Sequence, residues 1–375
     1  MYDHILLVAG ETSGDLHGAE LIKELRILSP DMKFFGIGGE NMKNSGVEIL
    51  YHSNQLNFMG FVEIIKYLPF IRKVKEDLIS EVIRRKTKYA ILIDYPGFNL
   101  SIAKRLKDLN VKIFYYISPQ VWAWGQSRVT KIKNFIYKMF VVFPFEEIFY
   151  KNLGIDAEYV GHPLITKINE YKFLDKKTLF EKFNLDFNKE ILLLLPGSRK
   201  QEVSLIFPEI YPAAKKLSYK FNMQIVVACS TSINESFIQK ITPQKDYIII
   251  KGHTYDLLKH SKFGIIKSGT STLEAGLLGL PMIIVYKANF LSYLIGRILI
   301  KVNNIGIVNI LLEKSLIPEL IQKNLNERNI IEQVSNLLSD EKKLDEIKEE
   351  LKQIGLKLGT KNASKIAAEK IILSF

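Results

Sequence analysis

Ile265-Ile266-Lys267-Ser268-Gly269-Thr270-Ser271-Thr272-Leu273-Glu274-Ala275 reads as a strand, a Gly/Ser/Thr turn and the opening of a helix. The first N–H groups of such a helix have no intrahelical acceptor, and with the positive helix end they suit a phosphate. Gly269, Thr270 and Ser271 are the residues placed to present them. Glu274, one turn on, suits the two hydroxyls of a sugar diol rather than a phosphate. A phosphate cradle beside a diol acceptor points to a nucleotide.

Outward from this stretch, short β-branched runs alternate with longer helical patterns. That alternation predicts an α/β protein with parallel sheets. Strands are expected at 4–9, 33–36, 89–93, 112–117, 138–142 and 157–160, with helical patterns at 16–28 and 61–86. A second series is expected at 191–195, 224–228, 247–251, 263–267 and 282–285, and the tail from Leu316 onward is expected to be helical. The charged segment 166–189 carries no strand pattern and is read as the crossing between domains. At 375 residues two cores are expected. Residues 1–165 and 166–344 are assigned to two doubly wound domains facing a crevice, where ligands meet the carboxyl ends of the strands. The tail 345–375 either returns to the first domain or exchanges with a partner in a homodimer.

Hydrophobic residues make up 47% and charged residues 25%, which is ordinary globular composition and argues against disorder. The single cysteine, Cys229, sits in an apolar run and excludes an internal disulfide or a Cys-based zinc site. No signal peptide or membrane-spanning run is apparent, so a cytoplasmic protein is expected. A net charge of +12 calls for an anionic partner: a nucleic acid, a membrane face or a phosphorylated substrate. The stretch Lys66–Lys88 interleaves basic residues with Tyr67, Leu68, Phe70 and Ile71, and the 290–301 stretch is similar and greasier. Both patterns suit a membrane interface, and both also suit core packing with lysines reaching out to water.

The remaining motifs fall at strand ends. Gly10-Glu11-Thr12-Ser13-Gly14-Asp15 opens the first helix, where its glycines allow close approach and Thr12, Ser13 or Asp15 can cap. Asp94, in Asp94-Tyr95-Pro96-Gly97-Phe98-Asn99, follows a buried strand; partial burial suits it to general-base work, and capping a turn is the plainer alternative. Ser118-Pro119-Gln120-Val121-Trp122-Ala123-Trp124 holds both tryptophans, with Arg128, Lys131 and Lys133 close behind, and suits a sugar, an acyl chain or single-stranded nucleic acid, or core packing of one tryptophan. Gly197 and Ser198 offer backbone N–H groups, and Arg199 offers bidentate contact to a diphosphate, against the alternative of a surface ion pair. His162, in Val160-Gly161-His162-Pro163, and His253, in Lys251-Gly252-His253-Thr254, also sit at strand ends, where phosphate contact competes with a turn role. No Asp-x-Asp pair, P-loop or metal spacing of histidines is found, so leaving-group stabilisation without metal or cofactor is expected.

Taken together these strings resemble the lipid-A-disaccharide synthase family. The matches are Val8–Asp15, Asn57-Phe58-Met59-Gly60, Asp94-Tyr95-Pro96 with Phe98-Asn99, Ser118–Trp124, Leu195–Arg199 and Ser268-Gly269-Thr270, in the family's order. The resemblance implies a GT-B fold and an inverting transfer from UDP-2,3-diacylglucosamine to 2,3-diacylglucosamine 1-phosphate, forming a β-1,6 linkage in lipid A biosynthesis. It places the catalytic aspartate on Asp94, the nucleotide arginine on Arg199, the ribose carboxylate on Glu274 and a further substrate contact on Asn309. Gly14, Met59, Gly60, Trp124 and Gly252 join the substrate-binding set by position. The implied partners are the UDP-sugar, the acylated acceptor and an anionic membrane at the cytoplasmic face of a Gram-negative inner membrane, with no nucleic acid. The resemblance departs at Gly97, where many members carry a second aspartate. Two rivals remain: another UDP-amino-sugar enzyme of GT-B type, including an epimerase, and a nucleotide-controlled binding protein without chemistry.

Overall fold

In the computed structural model, the described residues are 4–56, 67–123, 125–242, 246–289 and 304–375. Met59, Gly60, Trp124 and the 290–301 stretch lie outside them. The chain divides into two compact units: residues up to Asn169 joined by Leu358–Phe375, and Glu170–Lys357.

The first unit carries a wholly parallel sheet. Its strands are β1 (His4–Ala9), β2 (Lys33–Gly38), β3 (Val47–His52), β4 (Tyr89–Ile93), β5 (Lys112–Tyr116), β6 (Lys138–Val141) and β7 (Ala157–Tyr159). Their spatial order is β3-β2-β1-β4-β5-β6-β7. Side chains alternate across a strand, so β1 feeds two cores. Leu6 and Val8 join one core with Val74, Leu78 and Ile79 of helix Leu68–Arg84 and Ile102 and Leu106 of helix Pro96–Asp108. Ile5, Leu7 and Ala9 join the other with Leu21, Ile22 and Leu25 of helix Thr12–Leu28 and Ala367, Ala368 and Ile371 of the C-terminal helix Ala363–Ile372.

The second unit repeats the plan. Its strands are β8 (Glu190–Leu195), β9 (Met223–Cys229), β10 (Ile248–Lys251), β11 (Phe263–Lys267), β12 (Met282–Tyr286) and β13 (Glu319–Ile321), in the order β10-β9-β8-β11-β12-β13 and again all parallel. In both sheets the strand order reverses beside the first strand, between β1 and β4 and between β8 and β11. Crossovers depart to opposite faces there and leave a cleft at the carboxyl ends.

Two strands were not expected from the pattern. β3 and β13 each end a sheet, and their half-exposed residues include Glu48 and Glu319, which break the apolar signature. The tail after Leu316 is therefore a short strand followed by helices, not helix throughout.

Capping also differs from expectation. The N-cap of helix Thr12–Leu28 is Glu11, whose side chain makes no capping bond. Asp15 caps the neighbouring helix Glu40–Asn44 instead. Its buried carboxylate accepts the backbone N–H of Gly39 (2.6 Å), Met42 (3.0 Å) and Asn41 (3.1 Å) and the Asn41 Nδ2 (2.8 Å). Asp15→Ala would strand those donors and should cost at least about 1–3 kcal/mol, read as a lower urea midpoint. An unchanged midpoint would mean that water replaces the carboxylate at no cost.

Candidate active site

In the first unit, the loops after β1 and β4 meet at the switch point. Asp94 and Tyr95 both take left-handed backbone angles, φ 45° and 46°. Left-handed non-glycine residues cost about 1–3 kcal/mol each and need surroundings that hold them. Those surroundings are present. The Asp94 N–H donates to the Tyr116 carbonyl at 3.0 Å. Its own carbonyl accepts from the Tyr115 hydroxyl at 2.5 Å and the Asn99 Nδ2 at 2.7 Å. The Tyr95 hydroxyl donates to the Leu56 carbonyl at 2.7 Å. Its ring lies where a side chain at position 10 would go: a Cβ on Gly10 would sit 2.1 Å from Tyr95 Cδ1. Gly10 is thus a requirement of the Asp94 corner.

The corner leaves the Asp94 carboxyl half-buried. Desolvation, and then the charge of Glu11, push it up to about 6, while the N–H of Tyr95 pulls the other way. A carboxyl poised there can take a proton near neutrality. Gly14 lies in the first turn of its helix, buried over Ala9 and the Ile93 carbonyl rather than at an open surface. Gly97 is exposed, and nothing lies within 4 Å of where its side chain would begin.

After β5 comes the tryptophan loop. Trp122 Nε1 donates to Glu146 at 2.9 Å, and the Val142 and Phe143 N–H groups bond the other Glu146 oxygen. Glu146 is fully buried, and that burial pushes its carboxyl up to about 7 against those hydrogen bonds. The sequence reading overlooked this residue. Its only signal is a helix start, Pro144-Phe145-Glu146, with an acid in the first turn.

In the second unit the candidate residues surround the β8/β11 switch point. Gly197-Ser198-Arg199 leads into helix Lys200–Lys220. The Ser198 and Arg199 N–H groups are not open to a ligand: both donate to Glu202 Oε2, at 3.0 and 3.3 Å. A Cβ on Gly197 would come within 2.7 Å of that glutamate, so only glycine admits it. The other Glu202 oxygen pairs with Lys267 at 2.9 Å. The Arg199 side chain is exposed and forms no ion pair among the described residues.

The turn after β11 keeps its donors. The N–H and hydroxyl of Thr272 both fold back onto the Gly269 carbonyl, at 3.1 and 2.7 Å. The exposed N–H groups of Gly269 and Thr270, and that of Ser271, take no acceptor among the described residues. Glu274 stands one turn along, half-buried, accepting from the Tyr255 hydroxyl at 3.2 Å. Gly252 makes an open left-handed turn after β10.

Asn309 is differently placed. It is fully buried, donating to the Ile317 carbonyl and Glu319 (both 2.8 Å) and accepting from the Ile317 N–H at 2.9 Å. Glu319 in turn holds the N–H groups of Ile305 and Gly306, and the Ser268 hydroxyl reaches the Ile305 carbonyl at 3.3 Å. Asn309 therefore braces the loop beside the Ser268 turn. Among the described residues no group of three or more His, Cys, Asp or Glu is arranged to hold a metal, and no helix is long and apolar enough to cross a membrane.

Known proteins agree with this construction. The family described as lipid-A-disaccharide synthetase matches residues 5–374. Lipid-A-disaccharide synthase of Myxococcus xanthus is 36% identical over 98% of this chain and 96% of its own. That of Syntrophus aciditrophicus is 38% identical over 97% and 96%. Among solved structures, the UDP-GlcNAc 2-epimerase of Neisseria meningitidis bound to UDP-GlcNAc superposes with a TM-score of 0.67 at 15% identity, covering 99% of this chain and 100% of that one. The glycotransferase of kitacinnamycin gives 0.63 at 12% identity, covering 100% and 99%. At such identities these two establish the GT-B fold, while the sequence match over the whole chain establishes descent. The chain belongs to the lipid-A-disaccharide synthase family, and is a hexosyltransferase of the GT-B fold.

Proposed function

We propose that the enzyme transfers the sugar of UDP-2,3-diacylglucosamine to the 6-hydroxyl of 2,3-diacylglucosamine 1-phosphate, with inversion. The products are the β-1,6-linked disaccharide 1-phosphate and UDP. The observation that carries this reading is Asp94: a half-buried carboxyl in a braced corner, with its pKa raised to about 6. Asp94 takes the proton of the acceptor hydroxyl as that oxygen forms its bond to the anomeric carbon. The bond from that carbon to the β-phosphate oxygen breaks in the same step, and UDP departs with the electron pair.

The second unit supplies the anion chemistry. The exposed Arg199 side chain and the open N–H groups of Gly269, Thr270 and Ser271 stabilise the charge that develops on the departing diphosphate. Glu274 accepts from the ribose diol. The bound UDP-GlcNAc of the Neisseria meningitidis neighbour supports a UDP-sugar donor on this fold. Positioning and electrostatics account for most of the acceleration in such a step.

Both substrates carry acyl chains, so the enzyme collects them at the cytoplasmic face of a Gram-negative inner membrane. In helix Leu68–Arg84, Val74, Leu78, Ile79 and Val82 are spent on the core. Leu68, Arg72 and Lys73 remain exposed for a lipid surface, while Arg84 is paired with Glu81.

Asp94→Ala should lower turnover by roughly 10²–10⁴-fold with UDP affinity retained. The wild-type log(kcat/KM) should rise with pH up to about 6 and then level, because the base works only when deprotonated. That limb should be missing from the variant. Turnover near that of wild type would remove Asp94 as base. Arg199→Ala should weaken UDP roughly 10–100-fold by calorimetry, the loss of a charge-assisted contact, and should lower turnover as well. Unchanged UDP affinity would take the arginine out of the site. Vesicles containing anionic lipid should pull down the protein more than neutral ones, and added salt should reduce the difference. Equal recovery on both would remove the electrostatic part of the membrane reading.

A further inference from the structure

Glu274 does not stand alone at the end of its turn. Behind it lies a network that begins at Tyr171, two residues into the second unit. Asp256, with no solvent exposure, accepts the Tyr171 hydroxyl at 2.7 Å, the Leu174 N–H at 2.8 Å and His253 Nδ1 at 2.9 Å. Lys182 Nζ lies 3.0 Å from His253 Nε2. An ammonium can only donate, so Nε2 accepts and the ring proton sits on Nδ1, toward Asp256. His260 Nε2 meets the Leu174 carbonyl at 2.8 Å. These bonds pin helix Thr254–His260 to the segment that enters the unit.

Tyr255 is the residue this arrangement fixes. It is 6% exposed, and its ring meets Tyr171 edge to face with centroids 5.0 Å apart. Its hydroxyl reaches Glu274 Oε1 at 3.2 Å, the long end for an O–H···O contact, as is common before a ligand closes a site. Burial first, and the charge of Glu274 next, raise the phenol's pKa, so it remains a donor. A glutamate side chain otherwise has freedom to lose on binding. A donor that holds one carboxylate oxygen beforehand reduces that loss.

We propose that Tyr255 is a positioning residue for the nucleotide: its hydroxyl holds one oxygen of Glu274 so that the carboxylate is presented to the ribose diol. The proposal rests on the reading of Glu274 as diol acceptor. In this role Tyr255 acts through Glu274 rather than on the nucleotide itself. A purely structural tyrosine at this position would need its ring but not its hydroxyl, which separates the two roles.

The test is calorimetric titration of the full chain with UDP and with 2′-deoxy-UDP, for wild type, Tyr255→Phe and Glu274→Gln. Wild type should prefer UDP, and Glu274→Gln should abolish the preference. Tyr255→Phe should narrow it by roughly three- to tenfold, the size of one lost hydrogen bond, with affinity for the deoxy ligand and the melting temperature little changed. If Glu274→Gln erases the preference and Tyr255→Phe keeps it, Glu274 reads the diol without the Tyr255 hydroxyl and the proposal is overturned. Equal losses for both ligands in Tyr255→Phe would show a structural role only and overturn it too. A preference that survives Glu274→Gln overturns the diol reading itself, and with it the proposal.

Discussion

A parallel sheet whose strand order reverses beside its first strand must open a cleft at that place, because the two crossovers leave toward opposite faces. This chain meets that constraint twice. β1 and β4 end beside each other in the first sheet, and β8 and β11 do so in the second. Gly10 and Asp94 leave the first pair, and Gly197 and the Ser268 turn leave the second. The chain has only to put chemically useful residues in those four loops.

The two clefts are built on opposite terms. At Asp94 the backbone is held in an unfavourable conformation, and the surrounding hydroxyls and amides are consumed in holding it. The corner is held by these bonds, and its carboxyl is half-buried. At the Ser268 turn the backbone is relaxed into a helix start and its donors are left unspent. The contrast suits the proposed roles, in which a base needs one fixed place and an anion cradle needs open donors. Between β8 and β11 the molecule does something else again: Glu202 lies against the Ser198 and Arg199 amides as a resident anion, with Lys267 balancing it. Arg199 is left as the exposed charge of that loop.

Much of this was legible in the sequence because interior strands advertise themselves. Runs such as Ile191–Leu195 and Phe263–Lys267 are buried on both faces and read as unbroken apolar segments. The edge strands β3 and β13 were not legible, since Glu48 and Glu319 interrupt their apolar pattern and β13 is only three residues long. The motifs at strand ends marked where the loops are, but not how their atoms are spent. Asp15 is a cap for a helix 24–27 residues away, Asn309 is buried in a brace, and Glu202 fills the amides assigned to a phosphate. Partners of that kind are set by tertiary contact, and neither spacing nor residue type announces them. Glu146 and Tyr255 went unnoticed for the same reason: their partners lie 24 and 19 residues away.

The C-terminal helix has a consequence for how the chain is made. Its alanines and Ile371 fill the face of helix Thr12–Leu28, the Tyr116 hydroxyl meets Ser364 248 residues along the chain, and the Tyr89 hydroxyl reaches the carbonyl of Phe375, 286 residues away. The unit that leaves the ribosome first is therefore the last to be finished. Its second core stays open, with Leu21, Ile22 and Leu25 uncovered, through the whole synthesis of Glu170–Lys357. The intervening unit, by contrast, is one continuous stretch, Glu170–Lys357. Closing that core waits for Leu358–Phe375 to be made, so a nascent chain stalled before them presents an apolar face to the cell's chaperones.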